Sequence, residues 1–388
     1  MIKHRKTKIL ATIGPATNSF DQLEKLYLAG VNAFRMNFSH GSHEDHLKVI
    51  QFTEELNQKH QAHISLLADL QGPKLRLGEI ENNSILLVEG ELINVVNYPV
   101  VGNLKEVSVT YEALPQDVKV GELILIDDGK LSLVVVSSNE KDTVVCRVVE
   151  GGILSSKKGF NLPSTVTTVP SLTEKDRKDL DFILQHPINW LALSFAREAK
   201  EVLELKEIIK SQNGLLRVMA KIEKPEAVKN IDAIIEASDA IMVARGDLGV
   251  EVPMEEMAIV QKRIVSKCIE QAKPVVIATQ VMESMLEMSR PTRAEITDVS
   301  NAVLDGADVI MLSGETSVGK FPIKVIETID KIIHRVEEES IIYNREHFAK
   351  IGSPTFYSDA ICFNACRIAK DVHAKCINAM TYSGYTGF

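Results

Sequence analysis

Residues 190–223 read WLALSFAREAKEVLELKEIIKSQNGLLRVMAKIE, in which two short apolar runs flank an amphipathic stretch. The runs at 190–195 and 216–222 have the length of strands and are rich in Leu, Ala and Val, which is typical of parallel strands buried on both faces. The stretch between them, 198–211, has a helical pattern. This order of strand, helix and strand predicts a βαβ unit and therefore a parallel sheet.

The same alternation occurs elsewhere in the chain. Six more apolar runs of strand length occupy residues 7–13, 31–37, 64–70, 240–246, 274–280 and 309–314, and further helical patterns occupy 20–29, 43–59 and 254–272. Eight such strands favour a closed barrel over an open sheet. The sequence therefore predicts the α/β class and a (β/α)₈ TIM barrel built from residues 1–71 and 170–345.

Residues 72–169, which we call the inserted domain, have a different pattern. Runs of alternating or β-branched character at 123–126, 131–136 and 143–149 are separated by turn signals such as Asp127-Asp128-Gly129, and helical patterns are nearly absent. This predicts a small antiparallel β domain inserted after the third barrel strand.

A further unit begins near residue 351. It has a helical pattern at 358–370 and a strand pattern at 375–381. So short a segment is too small for an independent core. We therefore expect residues 351–388 to form an incomplete C-terminal α/β domain.

Composition excludes several classes of protein. The formal net charge of −9 gives the chain no electrostatic reason to bind nucleic acid, and no uninterrupted apolar stretch approaches the ~20 residues that span a bilayer. The five cysteines lack zinc-ligand spacing. Cys362 and Cys366, four apart on a predicted helix, would make a partial metal site, but two structural thiols are the favoured interpretation. We expect a cytoplasmic protein with no nucleic-acid or membrane partner.

Polar residues follow the apolar strands, and in a TIM barrel the active site lies at these carboxyl ends. Side chains alternate along a strand, so Arg35 and Asn37 share one face, as do Lys221 and Glu223. The other strands are followed by Asp69, Ser194, Arg245-Gly246-Asp247, Thr279-Gln280 and Ser313-Gly314-Glu315. Loops are polar in general, but this explains less well why an Arg, a Lys and several carboxylates should converge on one mouth.

The chemistry of this cluster follows from its residue types. Glu223 and Asp247 suit Mg²⁺, which prefers oxygen ligands and takes one or two carboxylates together with substrate phosphate and water. Lys221 and Arg35 suit a phosphoryl group whose charge must be neutralised during transfer. Gly246 allows the backbone to approach a ligand closely. Structural salt bridges would explain each charge singly, whereas the set favours function.

Several segments resemble the signature sequences of the pyruvate kinase family. They comprise residues 12–16 (TIGPA), 35–41 (RMNFSHG), 158–163 (KGFNLP), 220–223 (AKIE), 243–250 (VARGDLGV), 278–280 (ATQ) and 312–316 (LSGET). The match runs from about residue 5 to the end, in the order found in the family. The resemblance implies that phosphoenolpyruvate and ADP are converted to pyruvate and ATP. It also implies that the inserted domain closes over the site as a lid.

The resemblance also implies roles for the site residues. Glu223 and Asp247 would bind Mg²⁺, with Mn²⁺ as a substitute, and Lys221 would stabilise the phosphoryl group and the enolate. Arg35 would bind the phosphate. Thr279 would act in catalysis and, with the backbone of Gly246 and Asp247, would bind the substrate carboxylate.

Other residues are implied in nucleotide binding and proton transfer. Asn37, His40 and Arg76 would contact the nucleotide phosphates. Ser313 and Glu315 would belong to a proton-relay region. The family also implies a homo-oligomer, usually a tetramer.

Many members of the family need K⁺, held by residues that correspond to Asn37, Ser39, Asp69 and the carbonyl of Leu70. Such members have Glu where this chain has Lys74. Because an ammonium group is a compact cation, Lys74 would supply the charge that K⁺ brings, and we predict activity without added K⁺. The alternative is that Lys74 is a solvated charge at the hinge.

Two alternative functions remain open at this point. A metal-dependent aldolase or lyase would share the barrel and the carboxylates, but it would need neither a large lid nor the pair of Lys221 and Arg35. A protein that only binds partners, without catalysis, would be compatible with the short C-terminal unit.

Overall fold

The structure, a computed structural model, describes residues 5–339, 349, 351–374 and 376–381. Its first part contains β1 (Lys8–Thr12), α1 (Phe20–Ala29), β2 (Ala33–Asn37), α2 (His43–His60) and β3 (Ser65–Asp69). Local sequence explains these boundaries. Ser42 and Asp45 form a capping box at the start of α2, and Gly30 ends α1 with a φ of 124°, which favours glycine.

The inserted domain contributes mostly short strands. They are β4 (Ser84–Leu87), β5 (Leu92–Val96), β6 (Glu106–Ser108), then the one-turn helix α3 (Leu114–Asp117), β7 (Leu123–Ile126), β8 (Leu131–Ser138), β9 (Thr143–Glu150), β10 (Gly152–Ser155) and β11 (Phe160–Asn161). Six strands form one sheet in the order β11-β7-β8-β9-β5-β6, antiparallel except between β5 and β6, and β4 pairs with β10.

The chain then returns to the barrel. The barrel elements that follow are α4 (Glu174–Ile183), β12 (Trp190–Leu193), α5 (Ala199–Ser211), β13 (Arg217–Ile222), α6 (Pro225–Lys229), α7 (Ile231–Ala237), β14 (Ala240–Ala244), α8 (Arg245–Glu251), α9 (Met257–Glu270), β15 (Val275–Ala278), α10 (Arg293–Asp305), β16 (Val309–Leu312), α11 (Gly314–Ser317) and α12 (Pro322–Glu337). Helix α13 (Phe356–Asp371) belongs to the C-terminal unit.

Eight parallel strands close into a barrel in the order β1-β16-β15-β14-β13-β12-β3-β2. This confirms the predicted fold class. Each predicted barrel strand is present, with ends that differ from the prediction by two residues or fewer. The helix predicted at 254–272 begins later, at Met257, because Met254–Glu256 forms a 3₁₀ turn.

The barrel interior is apolar below the mouth. Inward-facing side chains pack together there, one or more from each strand: Leu10, Ala33, Leu67, Ala192, Met219, Ala240, Met242, Val276, Ala278, Val309 and Met311. Because side chains alternate along a strand, the residue two positions after an inward-facing one also faces inward. Met219 is thus followed on the same face by Lys221, and Leu67 by Asp69. The strands therefore place polar side chains at the mouth of the barrel, above a layer of packed apolar side chains.

A larger core fills the space between the barrel and its helices, and the inserted domain has a separate core of its own. The chain enters the inserted domain at Gly72, which has a φ of 65°. A Cβ atom there would lie 2.9 Å from side-chain atoms of Ser194 and Phe195. Only glycine fits both the backbone conformation and the space at this junction.

The structure of the C-terminal unit agrees only in part with the prediction from the sequence. Helix α13 is present, as predicted for 358–370. The strand predicted at 375–381 is wrong for residues 376–381, which are exposed and belong to no strand, whereas Lys375 lies outside the described residues. A strand requires a hydrogen-bonded neighbour, and no described strand lies beside this segment. Predictions for residues 1–4, 340–345 and 382–388 fall outside the described residues as well.

No described helix has both the length and the apolar character needed to cross a bilayer.

Candidate active site

A buried ammonium group, that of Lys221, lies at the centre of the barrel mouth. Its Nζ is 2.9 Å from Glu223 Oε1 and 3.3 Å from Asp69 Oδ1, and it donates a hydrogen bond of 2.8 Å to Ser194 Oγ. Arg35 Nε donates to Asp69 Oδ2 at 2.7 Å. Side chains that are far apart in sequence therefore form one buried network of two cations and two carboxylates.

The network fixes the charge state of its members. Burial alone would lower the pKa of Lys221, but the carboxylates of Asp69 and Glu223 outweigh this and raise the pKa above its ordinary value. Burial would raise the pKa of Asp69, but Lys221 and Arg35 outweigh it and lower that pKa. Lys221 is therefore protonated at neutral pH and acts as a fixed positive charge.

Glu223 is the carboxylate whose charge is least well compensated. Burial raises its pKa, Lys221 opposes this, and the charges of Asp247 and Asp69 raise the pKa further. Its Oε2 accepts a 2.7 Å hydrogen bond from the N–H of Phe195. Asp247 has a partly exposed side chain and lies close enough for its charge to act on Glu223. A buried acid that lacks sufficient counter-charge, with a second acid beside it, is suited to bind a cation.

The donor set is compatible with Mg²⁺. No group of three or more His, Cys, Asp or Glu side chains converges as a metal site in the part of the chain that the structure describes. Mg²⁺ does not need such a cage, because it binds through one or two carboxylates and completes its shell with substrate oxygens and water. Glu223 and Asp247 would supply the two carboxylates.

The start of α8 approaches Thr279 closely. The N–H of Gly246 donates to Thr279 Oγ1 at 2.7 Å, and this hydroxyl donates to the carbonyl of Ala278 at 2.6 Å. A Cβ atom on residue 246 would lie 3.3 Å from Thr279 Oγ1, so glycine permits the approach. Thr279 has a φ of 64°, a conformation that is costly for a β-branched residue. Strain of this kind often marks a functional position.

Arg245 holds the strained turn in place. Its Nη1 lies 2.7–2.8 Å from both carboxylate oxygens of Asp298, its Nε and Nη2 donate to the carbonyl of Thr279, and Nη2 also donates to that of Gln280. Arg245 stands at a strand end in the sequence, without a predicted role. Asp298 lies within α10, where no local signal distinguishes it from other acidic helix residues.

A cavity of about 560 Å³ opens beside the network. Its lining includes Arg35, Asn37 and His40 together with the loops that follow β1 and β16. The volume lies within the range of roughly 300–1,000 Å³ found for small-molecule sites. The structure thus brings two of the three predicted nucleotide residues to one cavity.

Arg76, the third predicted nucleotide residue, lies in the inserted domain. Its Nη1 donates to the carbonyl of Lys157 at 3.1 Å, and its side chain does not line the cavity that contains Asn37 and His40. A second, narrow cleft lies between the inserted domain and the barrel. It is lined by residues from both, among them Lys74, Phe160, Asn161, Arg197, Lys224 and Asp247.

The oxygens of Asn37, Asp69 and Leu70 in the predicted K⁺ pocket already have protein partners. Asn37 Oδ1 accepts from the N–H of Ser39 at 3.1 Å, and the carbonyl of Leu70 accepts from the Ser194 hydroxyl at 2.7 Å. The two carboxylate oxygens of Asp69 already contact Arg35 and Lys221. Lys74 Nζ lies 3.7 Å from Asp247 Oδ1, so its charge is on the side of the predicted metal ligands.

Glu315, predicted to belong to a proton-relay region, accepts hydrogen bonds from the backbone. It is buried, and its two oxygens accept the N–H groups of Met282 and Ser313 at 3.0 and 2.8 Å. The hydroxyl of Ser313 is also buried, and it makes no hydrogen bond to any described residue. The carboxylate therefore holds two loop backbones in position.

Known proteins resemble the chain over nearly its whole length. The family model described as "Pyruvate kinase, barrel domain" matches residues 4–326. A curated pyruvate kinase of Corynebacterium efficiens is 45% identical over 382 residues, which is 98% of this chain and 79% of that protein. One from Mycobacterium tuberculosis is also 45% identical, over 98% of this chain and 80% of its own length.

Solved structures agree with these relatives. The crystal structure of a pyruvate kinase from Cryptosporidium parvum has a TM-score of 0.92 and 37% sequence identity, with 99% of this chain and 80% of that chain covered. The barrel, the β domain and the buried charge network thus occur in a chain that is similar to pyruvate kinases in both sequence and structure. The chain belongs to the pyruvate kinase family, whose members transfer the phosphoryl group of phosphoenolpyruvate to ADP in glycolysis.

Proposed function

We propose that Arg35, Lys221, Glu223, Asp247 and Thr279 carry out this phosphoryl transfer. The observation that carries the proposal is the ammonium of Lys221, buried between Asp69 and Glu223 at 3.3 and 2.9 Å. A positive charge that is permanent and rigidly held stabilises negative charge that develops during a reaction. In the transfer, the bond from phosphorus to the enol oxygen breaks, a bond from phosphorus to the terminal oxygen of ADP forms, and the enolate carbon takes up a proton.

Arg35 is proposed to bind the phosphoryl group. Its Nε is held by Asp69 and its Nη1 lies 3.0 Å from Thr12 Oγ1, which orients the planar guanidinium. The side chain also lines the large cavity. An oriented guanidinium binds phosphate oxygens in a bidentate manner, which positions the group for in-line attack.

Glu223 and Asp247 are proposed to hold Mg²⁺, with Mn²⁺ as a substitute. When bound, the ion would neutralise charge on the phosphoryl and carboxylate oxygens of the substrate. Burial and the charges of Asp247 and Asp69 raise the pKa of Glu223 despite its contact with Lys221, and a cation beside this carboxylate would offset both effects.

Thr279 is proposed to act at the other end of the substrate. Its hydroxyl is already oriented by the N–H of Gly246 and the carbonyl of Ala278. Together with the backbone of Gly246 and Asp247, it would bind the substrate carboxylate. From the same position it would organise proton delivery to the enolate carbon.

Asn37 and His40 are proposed to contact the phosphates of ADP in the large cavity, and Arg76 would join them from the inserted domain. The domain, taken as residues 72–169 between the barrel parts 1–71 and 170–345, would close over the site. Closure excludes water and so protects the phosphoryl group from hydrolysis.

We also propose a cytoplasmic homo-oligomer. All five cysteines are free thiols, which agrees with a reducing compartment. Light scattering of the purified chain measures its mass, and a monomer at micromolar concentration would contradict the oligomer.

The central experiment is phosphoryl transfer from phosphoenolpyruvate to ADP by the purified chain. Pyruvate formation, followed by coupling to lactate dehydrogenase, should require both ADP and Mg²⁺. Pyruvate formed at the same rate without ADP would contradict the proposed roles and would favour a lyase.

Independence from K⁺ is the next prediction. The occupied oxygens at Asn37, Asp69 and Leu70 leave little need for a monovalent cation, and Lys74 supplies a charge near Asp247. Activity in tetramethylammonium buffer should therefore lie within about twofold of that in K⁺. Lys74→Glu should lose about tenfold without K⁺, which corresponds to roughly 1.4 kcal/mol, and should regain activity when K⁺ is added.

The matched control is Lys141→Glu, which reverses an exposed charge in the same domain. It should leave the response to K⁺ unchanged. Strict dependence of the natural chain on K⁺ would refute the prediction.

A further inference from the structure

Besides the ion pair of Lys74 with Asp247 at 3.7 Å, three hydrogen-bonded contacts tie the inserted domain to the barrel in the described residues. Two lie where the chain crosses between them. At the entrance, the N–H of Gly72 donates to Asp176 Oδ1 at 3.2 Å. At the exit, the guanidinium of Arg197 donates to the carbonyls of Thr167 and Val169 at 2.6 and 2.7 Å. These two contacts hold only the segments that connect the two domains, which we call the hinges.

The third contact lies away from the crossings. Asn161, the last residue of β11, donates through Nδ2 to Glu251 Oε1 at 2.7 Å. Asn161 and Glu251 are separated by 90 residues in sequence. This contact therefore depends on where the inserted domain sits over the barrel, rather than on the hinges alone.

Glu251 is a buried charge that has few partners. Its side chain is 0% exposed, and its Oε1 lies 2.5 Å from Lys224 Nζ. Its Oε2 makes no hydrogen bond to any described residue. A buried carboxylate is costly unless it is paired and hydrogen-bonded, so the bond from Asn161 is one of the two contacts that make this charge tolerable.

The positions of these residues in the chain connect them to the reaction. Lys224 directly follows Glu223. Glu251 ends α8, the helix whose first turn contains Gly246 and Asp247. The carboxylate of Glu251 thus links the neighbour of one proposed metal ligand, the helix of the other, and the inserted domain.

We propose that Asn161 is a positioning residue. When the inserted domain brings Asn161 onto Glu251, the Glu251 carboxylate has both of its partners, Asn161 and Lys224. The carboxylate then holds Lys224 and the end of α8 in place, and this fixes the spacing of Glu223 and Asp247. The position of the inserted domain is thereby coupled to divalent-cation binding. This inference rests on the proposed role of those two acids as metal ligands.

The test is Asn161→Asp in the full chain, which places a second carboxylate against Glu251. Lys224 cannot neutralise both charges, so the half-saturating Mg²⁺ concentration for activity should rise about tenfold, and Mn²⁺ binding measured by electron paramagnetic resonance should weaken equally. Hydrogen exchange of residues 159–163 should become faster, while that of the barrel strands should not change. Asn161→Ala should change the same quantities in the same direction, with the half-saturating Mg²⁺ concentration raised about fivefold.

Two further variants separate this role from a general effect on folding. Asn82→Asp introduces the same charge at an exposed position of the inserted domain and should leave Mn²⁺ binding within about twofold of the natural chain. The double variant Asn161→Asp with Glu251→Gln again has one carboxylate and one amide in this contact. Its affinity for Mn²⁺ should therefore return to within about threefold of that of the natural chain.

Unchanged Mn²⁺ binding in Asn161→Asp would overturn the inference, and so would faster exchange without weaker binding, since Asn161 would then be a tether only. Failure of the proposed metal site would look different. In that case Glu223→Gln would bind Mn²⁺ as tightly as the natural chain, whatever residue 161 is.

Discussion

Lys221→Met should lower kcat for pyruvate formation by at least about 10³-fold, the loss expected when a group that stabilises transferring charge is removed. The ammonium is held at 2.9 Å from Glu223 and 2.8 Å from Ser194, so it needs no reorganisation during the reaction. Because the surrounding carboxylates raise its pKa, it remains charged at neutral pH and its effect is electrostatic. The coupled assay under saturating phosphoenolpyruvate, ADP and Mg²⁺ measures this directly.

Two companion variants distinguish the charge from its position. Lys221→Arg keeps the charge, but the planar guanidinium does not fit between Asp69, Glu223 and Ser194, so kcat should still fall about 100-fold. Ser194→Ala keeps the ammonium and removes one hydrogen bond, so kcat should fall by about fivefold. A folded Lys221→Met protein that keeps more than a tenth of the natural kcat would end the assignment.

Stability must be measured alongside activity in these variants. Removing Lys221 leaves Asp69 with Arg35, whereas Glu223 loses its cationic partner at 2.9 Å. Breaking a buried ion pair in this way costs about 3–5 kcal/mol. Circular dichroism and urea unfolding show whether the variant is folded under assay conditions, so that lost activity reports on chemistry alone.

The barrel and the composition of its mouth could be predicted from the sequence, because both depend on local patterns. A strand buried on both faces is a short apolar run, and the residues just after such a run lie at one rim. Alternation along a strand also predicted that Lys221 and Glu223 share a face. None of these inferences requires knowledge of how distant elements pack.

Other features could not be predicted, because they depend on pairings between distant residues. The sequence suggested Asp69 as a residue of the barrel mouth and of a K⁺ pocket, but not that its carboxylate joins Arg35 to Lys221. Asp298 reaches Arg245 from another helix, 53 residues away. No turn signal predicts the positive φ of Thr279, since threonine does not favour this conformation, and Arg245 donates to its carbonyl from a distant part of the chain.

The wrong strand prediction has the same origin. Residues 376–381 have a local strand pattern, but a strand forms only when a neighbour accepts and donates its backbone hydrogen bonds. In the described residues this segment has no such neighbour. Local strand propensity alone is therefore not enough to form a strand at residues 376–381.

Glu223→Gln should raise the half-saturating Mg²⁺ concentration by at least about 100-fold, since a metal ligand is lost while the shape of the side chain is kept. The amide oxygen can still accept the N–H of Phe195, which Glu223 accepts at 2.7 Å, so the loop after β12 should keep its position. The measurement is a Mg²⁺ titration of the coupled assay, together with direct Mn²⁺ binding by electron paramagnetic resonance. The control is Glu236→Gln, which neutralises an exposed carboxylate on α7 and should leave both titrations unchanged.

Thermal unfolding provides a test of the same assignment that does not depend on catalysis. Glu223 lies close to the charges of Asp247 and Asp69, and these three acids are opposed by Lys221 and Arg35, with Lys74 beside Asp247. Without metal, Glu223→Gln removes one of the crowded negative charges, so its Tm should not fall far below that of the natural chain. A ligand that binds only the folded state raises Tm, so added Mg²⁺ should stabilise the natural chain and leave Glu223→Gln nearly unaffected. Equal stabilisation of both proteins by Mg²⁺ would place the cation away from Glu223.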